Sequence, residues 1–271
     1  GTIRVQGGNY IGCDPAELDS SLTEPDSEYI AVSYKKDGIL QFFVGARDST
    51  FVYGAPNTEY APVHDNYTIT MLANNGLYSV YSNPIVKNAP KPVTVCLLPG
   101  NYYSETTVYV YSSVDTIGLG DKECIIVEKK SSSDSNRHLF NLSNRDTVGY
   151  DYMTLRNMKL IVSSNTTGGK DNGAIQVIGQ TKAKCYDLII QKTAVTGRPI
   201  YVNGNNANNA DGKIYRAYAY FENVVIVRNS SSIFETNGTV TIRHHNLTYD
   251  NGNKTYNSSI KGFLDYTVWD W

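Results

Sequence analysis

A six-residue phrase returns four times in the second half of the chain and constrains the fold more than any other feature. It reads Leu155-Arg156-Asn157-Met158-Lys159-Leu160, then Cys185-Tyr186-Asp187-Leu188-Ile189-Ile190, then Phe221-Glu222-Asn223-Val224-Val225-Ile226, and more loosely His244-His245-Asn246-Leu247-Thr248-Tyr249. The copies begin 30, 36 and 23 residues apart. An Asn or Asp stands in each between an apolar-x pair and an apolar-x-apolar triplet. These two residue types tolerate the left-handed backbone region and bond their own main chain, so they suit a sharp corner between short strands. A ladder of corners at Asn157, Asp187, Asn223 and Asn246 is therefore predicted. Repeats of this period made of strand-corner-strand units point to a parallel β-helix, a solenoid that winds back onto itself.

Composition agrees with many short strands and polar turns. Charged residues make up 18% of the chain, while tyrosine alone contributes 22 residues. No long window is dominated by Leu, Glu, Lys and Ala, as long helices require. The net charge of -2 carries no basic excess, which argues against nucleic acid as a partner. No run approaches the length of a membrane-spanning helix. The cysteines at 13, 96, 124 and 185 lack metal-ligand spacing, and the last three sit in apolar runs, so they read as small buried hydrophobes, with a disulfide as the alternative that an even count leaves open. The sequence opens at Gly1 without Met or a signal peptide, as expected of a processed form or a fragment. Eight Asn-x-Ser/Thr sequons, at Asn66, Asn141, Asn165, Asn229, Asn237, Asn246, Asn253 and Asn257, would matter only along a eukaryotic secretory route.

Two regions are expected. Residues 1–90 read as a β-rich cap or small subdomain: strands near 29–34, 39–44 and 50–53, with Lys36-Asp37-Gly38 as a hairpin turn. An antiparallel patch there would cover one end of the solenoid. Residues 91–271 read as the solenoid proper, ending in a cap over 263–271.

Val93 to Val127 (VTVCLLPGNYYSETTVYVYSSVDTIGLGDKECIIV) resembles the opening coils of the pectin-lyase-like right-handed β-helix superfamily, in the style of pectin methylesterases and pectate lyases. The shared pattern is a strand, a Pro-Gly-x-Tyr turn, a short strand pair, and a Gly-x-Gly turn into an Ile-rich strand. The resemblance covers about Pro92 to Tyr249 and implies an all-β, right-handed parallel β-helix. The same fold hosts many activities, so the resemblance does not by itself assign one.

The motifs that carry chemistry in those families are missing. The Gln-Asp-Thr and Asp-Phe-Ile-Phe-Gly motifs of the esterases have as nearest counterparts Gly173-Ala-Ile-Gln-Val177 and Ser232-Ile-Phe-Glu-Thr236, both without the Asp. A calcium-dependent lyase needs converging carboxylates and a basic residue. Asp171, Asp187, Asp211 and Glu222 are the candidates, with Arg198, Arg216 and Arg243 as bases, but no Asp-x-Asp pair joins them. These gaps weigh against an enzyme; calcium would enter only with a lyase, and no other metal or cofactor is expected. His244-His245 reads as one ring inward and one outward, since strand neighbours face opposite ways.

The tyrosines suggest binding instead. An aromatic face with a polar tip stacks on sugar rings, and neighbouring polar groups bond hydroxyls. Tyr215, Tyr218 and Tyr220, with Arg198, Arg216 and Asp211, form the candidate carbohydrate contacts; Tyr102, Tyr103, Tyr109 and Tyr111 crowd an earlier coil. The expectation is a surface protein, extracellular or on a cell or virion, that recognises polysaccharide or a cell-surface glycan. A lyase or hydrolase acting on acidic polysaccharide is the alternative. A structural or adhesive protein without sugar ligand, including a homo-oligomer, is the third.

Overall fold

The computed structural model describes residues 3–24, 27–36, 38–46, 51–56, 61–62, 70–73, 76–87, 93–104, 106–110, 114–129, 138–143, 152–162, 173–179, 181–192, 198–204, 216–228, 233–250, 255–258 and 262–267. The N-terminal third begins with β1 (Gly8–Ile11), a helical turn α1 (Pro15–Leu18) and a 3-10 turn at Ser20–Thr23, followed by β2 (Tyr29–Lys36) and β3 (Ile39–Ala46). Next come β4 (Phe51–Ala55), β5 (Ala61–Pro62), β6 (Thr70–Ala73) and the short helices α2 (Leu77–Ser82) and α3 (Pro84–Lys87). The middle holds β7 (Val93–Leu97), β8 (Gly100–Ser104), β9 (Val108–Val110), β10 (Val114–Gly118), a 3-10 turn at Lys122–Cys124, β11 (Ile125–Lys129) and β12 (Phe140–Ser143). The last part holds β13 (Tyr152–Val162), β14 (Ile175–Ile178), β15 (Lys182–Lys192), β16 (Ile200–Asn203), β17 (Arg216–Arg228), β18 (Phe234–Asn237), β19 (Thr239–Asp250), β20 (Thr255–Ser258) and β21 (Gly262–Thr267).

The protein is all-β and built on long parallel sheets. A twelve-stranded sheet runs β20-β19-β17-β15-β13-β10-β7-β4-β6, with β8, β11 and β21 joined beside it. A five-stranded sheet runs β18-β16-β14-β12-β9. From β12 to β19 the chain alternates strictly between the two sheets, and each strand pairs in parallel with the one two elements later. Parallel neighbours need a crossover, and here the other sheet supplies it. This arrangement of parallel strands in stacked sheets is compatible with a β-helix.

The repeated phrases lie at the centres of the long strands. Asn157, Asp187, Asn223 and Asn246 have φ of 60°, 52°, 53° and 52°, and they are the only non-glycine residues with positive φ among those described. All four predicted corner positions thus adopt the left-handed backbone. What the sequence did not suggest is that each phrase belongs to one bent strand rather than two short ones. The first half of β13 pairs with β10 through Asp115–Thr154 to Ile117–Arg156, and its second half pairs with β11 through Ile126–Lys159 to Lys129–Val162. The turn that separates β10 from β11, with its 3-10 segment, is thus condensed into the single residue Asn157. That residue binds the turn it replaces: its Nδ2 donates to the carbonyls of Gly118 at 2.6 Å and Gly120 at 2.7 Å.

Between the sheets runs one continuous apolar core. Val52, Val95, Thr116, Leu155, Cys185, Phe221 and His244 follow one another in register along the inward side of the long sheet. Val108, Phe140, Ile175, Ile200 and Phe234 do the same on the five-stranded sheet. The rings of Phe221 and Phe234 meet across the gap at 5.5 Å. Near the first strands, α2 inserts Leu77, Val80 and Tyr81 into the same core, and the Tyr81 hydroxyl bonds that of Thr116.

The N-terminal antiparallel sheet, β1-β3-β2-β5, contains the expected hairpin: Lys36 pairs with Ile39, and Gly38 has φ of 77°. Its position differs from a cap across the end. Val32 and Phe43 pack on Tyr53, Cys96 and Leu98, with Ile117 and Leu119 against the same cluster. Tyr53, Cys96 and Ile117 are register partners on the outward side of the long sheet, so the antiparallel sheet covers the outer flank of β4, β7 and β10. Within residues 1–90, β4 and β6 belong to the long parallel sheet rather than to this patch. At the opposite edge, β20 and β21 lie antiparallel along the two halves of β19, which covers the last parallel strand. The predicted C-terminal cap is thus, over Gly262–Thr267, an edge strand; residues 268–271 lie outside the described residues.

Candidate functional site

The outer flank that the antiparallel sheet covers at β4, β7 and β10 continues, uncovered by that cluster, along β13, β15, β17 and β19. Strand alternation sets its composition. One outward row is Arg156, Tyr186, Glu222 and His245; the next is Thr154, Lys184, Tyr220 and Arg243; a third is Lys182, Tyr218 and Thr241. The left-handed corner interrupts the alternation, so the residue before it and the corner itself are both accessible. On β15, for example, Tyr186 and Asp187 are both half-buried between the buried Cys185 and Leu188.

Three tyrosines organise this face. The rings of Tyr186 and Tyr220 meet edge to face, with centroids 5.9 Å apart, and the Arg243 guanidinium lies 5.8 Å over the Tyr218 ring. The Tyr220 hydroxyl donates to Glu222 Oε2 at 3.0 Å. Glu222 Oε1 lies 3.5 Å from His245 Nδ1, an ion pair when the imidazole is protonated. Burial, and then the adjacent Glu222 carboxylate, push the Tyr220 phenol up to about 12, so it stays a neutral donor. At the margin, Thr154 donates to Asp115 at 2.8 Å.

Of the predicted carbohydrate contacts, Tyr218 and Tyr220 stand side by side on this face. Arg216 opens β17, while Tyr215 and Asp211 lie outside the described residues. Arg198 is not on this face: it precedes β16, where its own strand enters the five-stranded sheet. Tyr102 of the earlier tyrosine cluster is a core residue, 1% exposed, whose hydroxyl lies 2.7 Å from the Gly54 carbonyl and 2.8 Å from that of Leu98. Tyr111 lies outside the described residues.

Tyr186, Glu222, Arg243 and His245 complete the face, and three of the four carried a legible signal. Tyr186, Glu222 and His245 each stand immediately before the corner residue of their phrase, as Arg156 does, so in-register stacking of the phrases places them in one row.

Among the lyase candidates, Asp187 is a ladder corner, Glu222 and Arg243 are on the face, and Asp171 and Asp211 lie outside the described residues. No group of three His, Cys, Asp or Glu that could hold a metal ion occurs among the described residues. His244 and His245 divide as expected. His244 continues the inward row, where desolvation holds its imidazole below the ordinary 6.5. Cys96 and Cys185 are buried and free, and burial pushes Cys96 up to about 12 and Cys185 further, so neither is a reactive thiol. Two sequons are committed to structure: Asn141 is only 5% exposed, and the Asn246 amide bonds Asn223. No family model, curated protein or solved structure matches the chain.

Proposed function

We propose that this chain is a right-handed parallel β-helix of the pectin-lyase-like kind, extracellular or on a cell or virion surface, that binds polysaccharide along the outer flank of β13, β15, β17 and β19. The observation that carries this reading is the association of Tyr186, Tyr218 and Tyr220 on one face with Arg243, Glu222, Lys184 and Thr154. Flat apolar rings bordered by fixed donors and acceptors suit sugar rings, whose faces are apolar and whose edges are polar. The regular spacing of parallel strands, about 4.8 Å, repeats these groups along the sheet in a way that suits a chain ligand.

The test is binding to an immobilised panel of β-glucan, mannan, xylan, alginate and polygalacturonate. The double variant Tyr218→Ala/Tyr220→Ala should lose binding by about tenfold or more with an unchanged circular dichroism spectrum. Silence of the native protein on every glycan would sink the reading. An enzymatic reading draws on one observation, the clamping of Glu222 between Tyr220 and His245, which is how a proton-transfer carboxylate is held. Formation of unsaturated uronate from alginate or polygalacturonate, followed by absorbance, would replace binding with catalysis.

A further inference from the structure

The corner ladder is a chain of side-chain hydrogen bonds with one rung missing. Asn246 Nδ2 donates to Asn223 Oδ1 at 2.8 Å, and Asn223 Nδ2 donates to Asp187 Oδ1 at 3.1 Å. The next rung would run from residue 187 to Asn157, which lies opposite it between the paired Arg156–Tyr186 and Met158–Leu188. A carboxylate has no hydrogen to donate. Asn157 has turned its own amide toward the carbonyls of Gly118 and Gly120, so at this step two acceptors follow one another without a donor between them.

An asparagine at 187 would repair the ladder, since it adopts the same backbone region and differs by one group. A position that departs from its own repeat at a loss of stability is the pattern of a functional residue. The surroundings supply the function. Asp187 is half-buried beside Tyr186, and in its neighbour Glu222 one oxygen accepts from the Tyr220 hydroxyl while the other lies 3.5 Å from His245 Nδ1. Among the described residues Asp187 takes the single bond from Asn223, which leaves its second oxygen for an outside donor.

We infer that Asp187 is a ligand-contacting residue of this face, whose free carboxylate oxygen accepts hydrogen bonds from sugar hydroxyls held against Tyr186. The inference rests on the polysaccharide reading above and narrows it to glycans that present donor hydroxyls at the ring edge, because a carboxylate only accepts.

The experiment is Asp187→Asn in the full chain, with thermal unfolding and panel binding measured on the same preparation. In the variant both side-chain atoms are taken up by the ladder: Oδ1 accepts from Asn223 and Nδ2 donates to Asn157. The expected result is a melting temperature higher by about 2 °C together with about tenfold weaker binding to the panel glycan that the native protein binds best. A merely structural role would raise stability and leave binding alone, which overturns the inference. A lower melting temperature overturns the missing-rung argument. Native protein that binds nothing on the panel removes the polysaccharide reading itself, a result separate from native binding that the substitution leaves intact.

Discussion

Replacing Asn223 separates the two contributions a ladder corner makes. The residue sits at φ 53° and joins two rungs, donating to Asp187 at 3.1 Å and accepting from Asn246 at 2.8 Å. The ladder is half-exposed, so water can take up part of each lost bond, and each rung is assigned about 1 kcal/mol. Asn223→Gly removes both rungs and keeps a backbone suited to positive φ, so it should cost about 2 kcal/mol. Asn223→Ala removes the same rungs and adds the crowding of Cβ against the carbonyl in the left-handed region, about 1 kcal/mol more. Equilibrium urea unfolding of the three proteins measures both differences, provided the slopes agree. The order should be native, then glycine, then alanine, with about 2 °C in melting temperature for each kcal/mol in a chain of this size. If glycine destabilises as much as alanine, the backbone conformation is not what asparagine supplies here. If both variants unfold with the native protein, the ladder contributes nothing and the corner has another cause.

Two further outcomes follow from the core. His244 occupies the inward row after Phe221 with its imidazole held below 6.5, so the folded state favours the neutral ring; stability should be full above that value and decline as the pH falls below it. His244→Phe should flatten this decline, and identical slopes for both proteins in melting scans between about pH 7.5 and about pH 5 would refute the role. Gly173 lies where a Cβ would meet the His138 ring at 2.5 Å and the backbone oxygen of Arg198, so Gly173→Ala should cost roughly 2 kcal/mol or more, read as a lower urea midpoint.

The corners were legible in the sequence because the preference for positive φ belongs to one residue and its own backbone. Asn157, Asp187, Asn223 and Asn246 could be placed without knowing what lay next to them, and their spacing then implied strands that stack. His244 and His245 followed from strand alternation in the same local way. What pairs with what was not local. Phe51–Ala55 has the same apolar, β-prone character as its antiparallel neighbours. Only its pairing with β7 puts it in the long parallel sheet and turns Tyr53 toward the N-terminal sheet. Tyr102 and Tyr103 are adjacent in sequence, yet one ring fills the core and the other faces outward, and the phase that decides this comes from pairing with β11.

The candidate site divides along the same line. Tyr218 and Tyr220 could be named from one strand, because residues two apart share a face. Glu222 follows Tyr220 on that strand by the same rule, whereas Tyr186 and His245 reach the same surface from the neighbouring strands, 36 residues before and 23 after Glu222, through a register that the packed sheets define. The antiparallel sheet then decides how much of that flank it covers. By itself the sequence determined where the chain turns, since a corner is an energy of one residue; the tertiary structure decided which side chains meet, since a meeting depends on the register of strands far apart in the chain.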